Sequence, residues 1–145
     1  MIMDKQLEFS YSQAVTATAI STNVIDMGDD VPTRNIGGFG AASLVVQVDT
    51  AFAGVDLTSV TVEIVSDSDP AMSSPAVHAS TGAIAVADLT PGTIAVMPLP
   101  VGDYERYVGL RYTVAGTGTA GAISAFLTTQ PQVWRAVSAN NPPAN

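Results

Sequence analysis

Apolar and polar residues alternate along much of this chain with a period of two, which in an extended strand sends successive side chains to opposite faces. The clearest run spans residues 107–114, where Val108, Leu110, Tyr112 and Val114 share one face. Shorter runs of the same kind lie at residues 13–20, 43–50, 60–64, 84–86, 94–96 and 123–128. The pattern predicts about seven or eight short strands.

Clusters of Gly, Pro, Asp and Ser separate these runs and predict the turns that connect them. They occupy residues 26–40, 66–75, 90–92, 98–103 and 116–121, and the last of them is expected to be a flexible hairpin tip. No helical pattern of the length that a βαβ unit needs lies between the strands. We therefore predict an all-β domain, built as an antiparallel sandwich or barrel.

Two end segments fit this pattern less well and divide the chain into an N-terminal arm at 1–12, a β-sandwich domain at 13–129 and a C-terminal tail at 130–145. The arm carries Leu7, Phe9 and Tyr11, and the tail carries Trp134. Such apolar side chains must be buried somewhere, and aromatic anchors also dominate the energetics of protein interfaces. They either fold back onto the sandwich or dock on a neighbouring subunit, and the sequence leaves both possibilities open.

Composition and charge exclude several classes of protein. The chain has no cysteine, so neither disulfides nor thiolate metal sites contribute. Thirteen acidic against five basic residues give a formal charge of −8, which disfavours nucleic-acid binding. No run of apolar residues is long enough to cross a membrane, and Asp4, Lys5 and Glu8 interrupt the place where a secretory signal is expected.

The sequence contains no recognisable set of catalytic residues, cofactor site or metal ligands. We therefore predict that the protein is not an enzyme. His78 is the only histidine and, beside a predicted turn, is expected to be solvated. Asp67 and Asp69 could contribute oxygen ligands to Ca²⁺, but their sequence context favours Asx hydrogen bonds within a turn. Gly37 and Gly38 belong to a glycine-rich stretch without the Lys-Ser/Thr of a phosphate-binding loop, which favours a mobile loop.

A carbohydrate-binding sandwich is one function that the sequence allows. Tyr104, Tyr107, Tyr112 and Trp134 could form a platform on which sugar rings stack. The inward register of Tyr112 leaves fewer aromatic side chains for such a platform, which weakens the case for sugar binding.

Several segments, in their order and spacing, resemble the capsid cement proteins of tailed bacteriophages, in particular the Bordetella-phage cement family. These segments are Met3 to Gln6 with Phe9-Ser10, Gln13 to Ala19, Ser21 to Asp26, Leu57 to Val62 with the Met72 to Pro75 turn, and Glu105 to Val114. The resemblance covers most of residues 1–129. It is weaker from Gln130 onward, and the loop at 29–40 departs from the pattern.

The resemblance implies a jelly-roll-like β-sandwich without enzymatic activity or cofactor. It further implies a protein made in the bacterial host cytoplasm that binds the major capsid protein on the outer surface of the virion. Because the joints between capsid subunits are symmetric, a homo-oligomer is expected, with a dimer favoured. Leu7, Phe9, Tyr11 and Trp134 would then supply apolar anchors. Arg106 and Arg111 either pair with acidic residues of the partner or form ion pairs within the domain.

Overall fold

The computed structural model describes residues 4–28, 35–38, 42–129 and 131, apart from the side chain of Thr93. Within these residues nine strands account for most of the regular structure, so the all-β prediction is confirmed. The strands are β1 (Glu8–Ala14), β2 (Ala19–Ile20), β3 (Ile25–Asp26), β4 (Ser43–Gly54), β5 (Ser59–Asp67), β6 (Ala76–Ala85), β7 (Gly92–Pro98), β8 (Tyr107–Ala115) and β9 (Gly118–Thr128). Two short 3₁₀ helices, Lys5–Leu7 and Val86–Asp88, complete the described elements. Neither they nor any other described segment forms a helix that could span a membrane.

The strands form two antiparallel sheets that pack as a sandwich. One sheet has the order β1-β9-β4-β7, and the other has the order β2-β8-β5-β6, with β3 also pairing with β8. Because β2 and β3 both pair with β8, they act as two pieces of one interrupted strand. Counted in that way, the eight strands follow the double Greek-key order of a jelly roll.

The alternation that predicts the strands also selects the core. In β8, Val108, Leu110 and Tyr112 are all fully buried and face the opposite sheet, as the period of two requires. Val60, Val62 and Ile64 do the same from β5, which pairs with β8 along its whole length. Burial of side chains of this size contributes about 1.5–3 kcal/mol each to folding.

The N-terminal segment differs from the predicted arm. Residues 8–14 form β1, an edge strand that pairs with β9, and Phe9 is fully buried in the core. The pairing of β1 with β9 contains two register shifts, and Glu8, Phe9 and Ser10 are buried in succession. A strand interrupted by bulges does not show a period of two, so the sequence pattern did not reveal it.

Other strand boundaries also differ from the prediction. The predicted hairpin tip at 116–121 is only the turn at Gly116 and Thr117, whose amide donates to the Asp56 carboxylate at 2.8 Å. The run predicted at 84–86 is the end of the ten-residue β6 and the first residue of the following 3₁₀ helix, and the pairing of β6 with β5 shifts register twice. The run predicted at 13–20 is divided between β1 and β2.

The two long sides of the sandwich are constructed differently. On one side, which we call the clipped side, β1 lies beside β2 and β3 of the other sheet. The Asn23 amide donates to the Phe9 carbonyl at 2.8 Å, and the Gln13 side-chain amide donates to the Ile20 carbonyl at 2.9 Å. On the other side, the open side, β6 and β7 are the edge strands, and no strand of the described residues pairs with their outer edges.

Candidate functional site

An apolar pocket of about 180 Å³ lies at one end of the sandwich and is open on one side. It lies at the end of the sandwich where β1 and β4 begin and where β7 and β9 end. All of its lining residues are apolar: Leu7, Ile25, Met27, Ile36, Ala42, Leu99, Val108 and Leu127. We call this feature the end pocket and the corresponding end of the sandwich the pocket end.

Leu7 is brought to the end pocket by a capped turn. Asp4 is the N-cap of the 3₁₀ helix, and its carboxylate accepts the Gln6 amide at 2.9 Å. The Leu7 amide donates to the Asp4 carbonyl at 3.0 Å, which closes the turn. An N-cap carboxylate is the usual way to satisfy amides that have no partner within a helix. Leu7, which the sequence predicted to be an apolar anchor, is therefore held in the wall of the pocket.

Leu99 also lines the pocket and is the first residue of the segment that connects β7 to β8, residues 99–106. Tyr104 is fully buried and its hydroxyl donates to the Pro100 carbonyl at 2.8 Å. Burial raises the pKa of the Tyr104 hydroxyl to about 12, so it remains a neutral donor at physiological pH. Gly37 packs against the same segment so closely that a Cβ atom would lie 1.7 Å from the Pro100 carbonyl oxygen. This glycine is therefore required by packing.

His78 supports this segment and is half-buried, whereas the sequence predicted a solvated side chain. Its ring stacks on Tyr104 with 4.0 Å between the centroids, and its Nε2 lies 2.7 Å from Ser66 Oγ. The buried Ser66 hydroxyl also accepts the Glu105 amide at 3.0 Å. Desolvation lowers the pKa of His78, and the charge of Glu105 opposes this shift. The alternation of residues along β6 could not indicate this contact, because the bulge at His78 redirects the side chain.

The two arginines predicted to contact a partner form ion pairs within the chain. Arg106 Nε and Nη2 donate to the two carboxylate oxygens of Asp26, each at 2.8 Å. Arg111 Nε donates to Glu63 at 2.7 Å, across the β5-β8 pair. Of the two alternatives that the sequence left open for these residues, the structure shows the intramolecular ion pair.

The remaining predicted anchors lie in different surroundings. Phe9 belongs to the chain's own core, so it is unavailable to a partner while the protein is folded. Tyr11, two residues later on β1, is 69% exposed and has Lys5 Nζ 5.8 Å from its ring centre. Trp134 lies outside the described residues, as does the rest of the tail from residue 132 onward. Among the described anchors, Leu7 and Tyr11 are therefore the ones that a partner could contact.

Charge is distributed unevenly over the described residues. Lys5, Arg106 and Arg111, the three described cations, are each paired with a carboxylate of the same chain, namely Glu8, Asp26 and Glu63. Of the eleven described carboxylates, seven lie at the pocket end: Asp4, Glu8, Asp26, Asp67, Asp69, Asp103 and Glu105. The opposite end carries two, Asp56 and Asp88. The pocket end is thus apolar at its centre and negatively charged around it.

Asp67 serves the turn that follows β5, as the sequence predicted. Its carboxylate accepts the Ser74 amide at 2.9 Å and the Asp69 amide at 3.0 Å. These hydrogen bonds lower the pKa of Asp67, with the Ser74 amide as the largest cause. Both carboxylate oxygens are used in closing the turn between β5 and β6. Asp29 and Asp30 lie outside the described residues.

The tyrosines of the alternative carbohydrate-binding function do not form an exposed platform. Tyr104 and Tyr112 are both fully buried. The Arg106 guanidinium lies 4.9 Å from the ring centre of Tyr107, the remaining tyrosine of the proposed set. Sugar rings stack on exposed aromatic faces, so Tyr104 and Tyr112 cannot take part.

The end pocket itself was not predicted from the sequence. The alternation places Val108 and Leu127 on inward faces, which indicates a core position and does not distinguish a closed core from an open pocket. Leu99 and Ile36 lie in segments expected to be loops. No signal in the sequence joins these residues, because their proximity depends on the antiparallel arrangement of the strand ends.

The chain matches the Bbp16 family, a Bordetella phage protein family, over residues 9–127. No curated protein matches the chain.

Proposed function

We propose, because this chain belongs to the Bbp16 family, that it is a bacteriophage capsid cement protein. In this role it binds the outer surface of the major capsid shell, bridges neighbouring subunits and stabilises the DNA-filled head. The family match carries the proposal, since it runs from the second residue of β1 to the last but one residue of β9 and includes every strand. A Bordetella phage protein family is consistent with a structural component of the particle.

The construction of the domain supports a clamping role. The two sheets are joined through the core and by the hydrogen bonds of the clipped side, which gives a small scaffold with little freedom to shear. A rigid bridge resists outward displacement of the subunits that it joins. Many copies on one shell act together, so even modest contacts oppose the pressure of packaged DNA.

Tyr11 is the described aromatic residue best placed to anchor such a bridge. It is 69% exposed on the edge strand β1, and aromatic side chains supply a large contact area at low entropic cost. We expect the protein to attach as a homo-oligomer, with a dimer favoured, because capsid joints are symmetric.

Binding to purified heads tests this function. Heads that lack the protein are incubated with increasing amounts of the full chain, and bound protein is quantified after sedimentation. We expect saturable binding, an outer position in cryo-electron microscopy maps, and heads that release their DNA at a higher temperature than undecorated heads. Absence of saturable binding would remove the proposal.

A substitution pair tests the contribution of Tyr11. Tyr11→Ser is expected to lower occupancy on heads, whereas Val55→Ser is expected to leave it unchanged. Val55 is the matched control because it is 96% exposed and lies at the end of the sandwich opposite the pocket end. Truncation of residues 1–12 is unsuitable, since it would remove most of β1 and with it Phe9 from the core.

A further inference from the structure

We propose that the end pocket is a docking site for one large aliphatic or aromatic side chain, carried on a basic segment of the capsid protein. This inference rests on the proposed cement function and adds the chemistry of the contact.

The lining of the pocket selects the occupant. All of its lining side chains are apolar, so neither a sugar nor a phosphate would find hydrogen-bond partners there. Its volume of about 180 Å³ is near that of apolar cavities of about 150 Å³ that bind benzene in other proteins. One ring or one branched aliphatic side chain fits this space.

The pocket is formed before any partner arrives. Leu7 is fixed by the Asp4 cap, and Leu99 is fixed by the segment that Tyr104 and His78 support. Val108 and Leu127 lie in strands that pair with neighbours in their sheets. A preformed site avoids the entropic cost of ordering its walls during binding, which favours affinity.

Charge indicates the sequence around the inserted residue. Seven of the described carboxylates lie at the pocket end, and the two described cations there, Lys5 and Arg106, are paired with Glu8 and Asp26. Asp4, Asp69 and Asp103 are exposed at this end. Complementary potentials speed association and select the partner, so the docked segment should carry Lys or Arg. A second copy of this chain, which also carries a formal charge of −8, would not offer this complementary charge at the pocket end.

The principal test fills the pocket. Ala42 lines the pocket just before β4, so Ala42→Phe would occupy the space that the partner needs. Ala51→Phe is the control, since Ala51 is exposed on β4 itself. We expect Ala42→Phe to lower the affinity for heads at least about tenfold, whereas Ala51→Phe should stay within about twofold of the original protein. Urea unfolding verifies that both variants are folded.

A second variant guards against a folding defect in the first. Ile36→Ser makes the pocket wall polar at a half-buried position and should also reduce the affinity. Charge is tested by Asp103→Asn with Glu105→Gln, for which we expect slower association at low salt. The control pair at the opposite end, Asp56→Asn with Asp88→Asn, should associate at the original rate.

Two results would overturn the inference. If folded Ala42→Phe and Ile36→Ser variants decorate heads as well as the original protein, the pocket is not used in docking. If they lose self-association in analytical ultracentrifugation but still bind heads normally, the pocket serves contacts between copies. In both cases the original protein binds heads, so the cement function stands. That function fails only if the original protein does not bind.

Discussion

The clipped side and the open side of the sandwich differ in how their edge strands are held. On the clipped side, the edge strand β1 is joined to the second sheet through polar groups that cross between the sheets. On the open side, β6 and β7 keep their outer edges free of any described strand. Both strands are bulged, as β1 is: β6 shifts register against β5 twice, and β7 shifts once against β4.

Gln13 and Ser10 are the centre of the clipped side. The side-chain Oε1 of Gln13 accepts the Thr22 amide at 2.9 Å and the Ser10 hydroxyl at 2.6 Å. Since the single proton of Ser10 is used in this way, the Tyr112 hydroxyl donates to Ser10 Oγ, at 2.7 Å. Burial raises the pKa of Tyr112, which keeps this donor protonated. The network connects β1, the segment after β2, and β8.

The two sides therefore differ in the interactions that stabilise them. The clipped side uses specific hydrogen bonds and a buried aromatic residue, so single substitutions there should be costly. The open side relies on irregular edges, which discourage pairing with foreign strands without requiring covering contacts. Three predictions test this difference, in order of decreasing effect.

The largest effect is expected at Phe9. Phe9→Ala should lower the free energy of unfolding by about 3–5 kcal/mol, because it leaves a cavity in the core beneath β1. Tyr11→Ala is the control on the same strand and should change it by less than about 0.5 kcal/mol. Urea denaturation followed by circular dichroism measures both. Equal effects from the two substitutions would show that β1 does not fix the clipped side.

An intermediate effect is expected at Gln13. Gln13→Ala should cost about 1–2 kcal/mol, because the Ile20 carbonyl and the Thr22 amide lose their partner. Gln6→Ala removes the same kind of side chain from an exposed position and should be nearly neutral. The same unfolding experiment applies. A neutral Gln13→Ala variant would mean that water replaces the amide without loss and that the clip is not a source of stability.

The smallest effect concerns His78 on the open side and appears as a dependence on pH. Its pKa in the folded protein is lower than the ordinary value of 6.5, so the unfolded chain binds a proton first as the pH falls. Stability should therefore decrease as the pH drops through about 6.5, and the decrease should end below the pKa of the folded state. In His78→Gln this decrease should be smaller. An identical pH dependence in both proteins, measured as melting temperature from pH 8 to pH 5, would contradict the assignment.

The sequence by itself determined the fold class and much of the core. The runs around Val60 and Val108 alternate regularly because their strands are central, with one face in the core and pairing on both edges. In such strands the period of two is the geometry of the sheet itself. The turn residues, including Asp67, could likewise be predicted because their hydrogen bonds are local in the sequence.

Only the tertiary structure decided the edges and the candidate site. β1 and β6 contain bulges, which erase the alternation. Part of the predicted N-terminal arm is therefore a strand, and the short run predicted at 84–86 lies at the end of a much longer strand. The end pocket gathers Leu7, Leu99 and Leu127, which are far apart in the chain. Their proximity follows from which strands are neighbours and where each one ends. Strand pairing joins segments that are far apart in the chain, and a local sequence pattern does not reveal which segments pair.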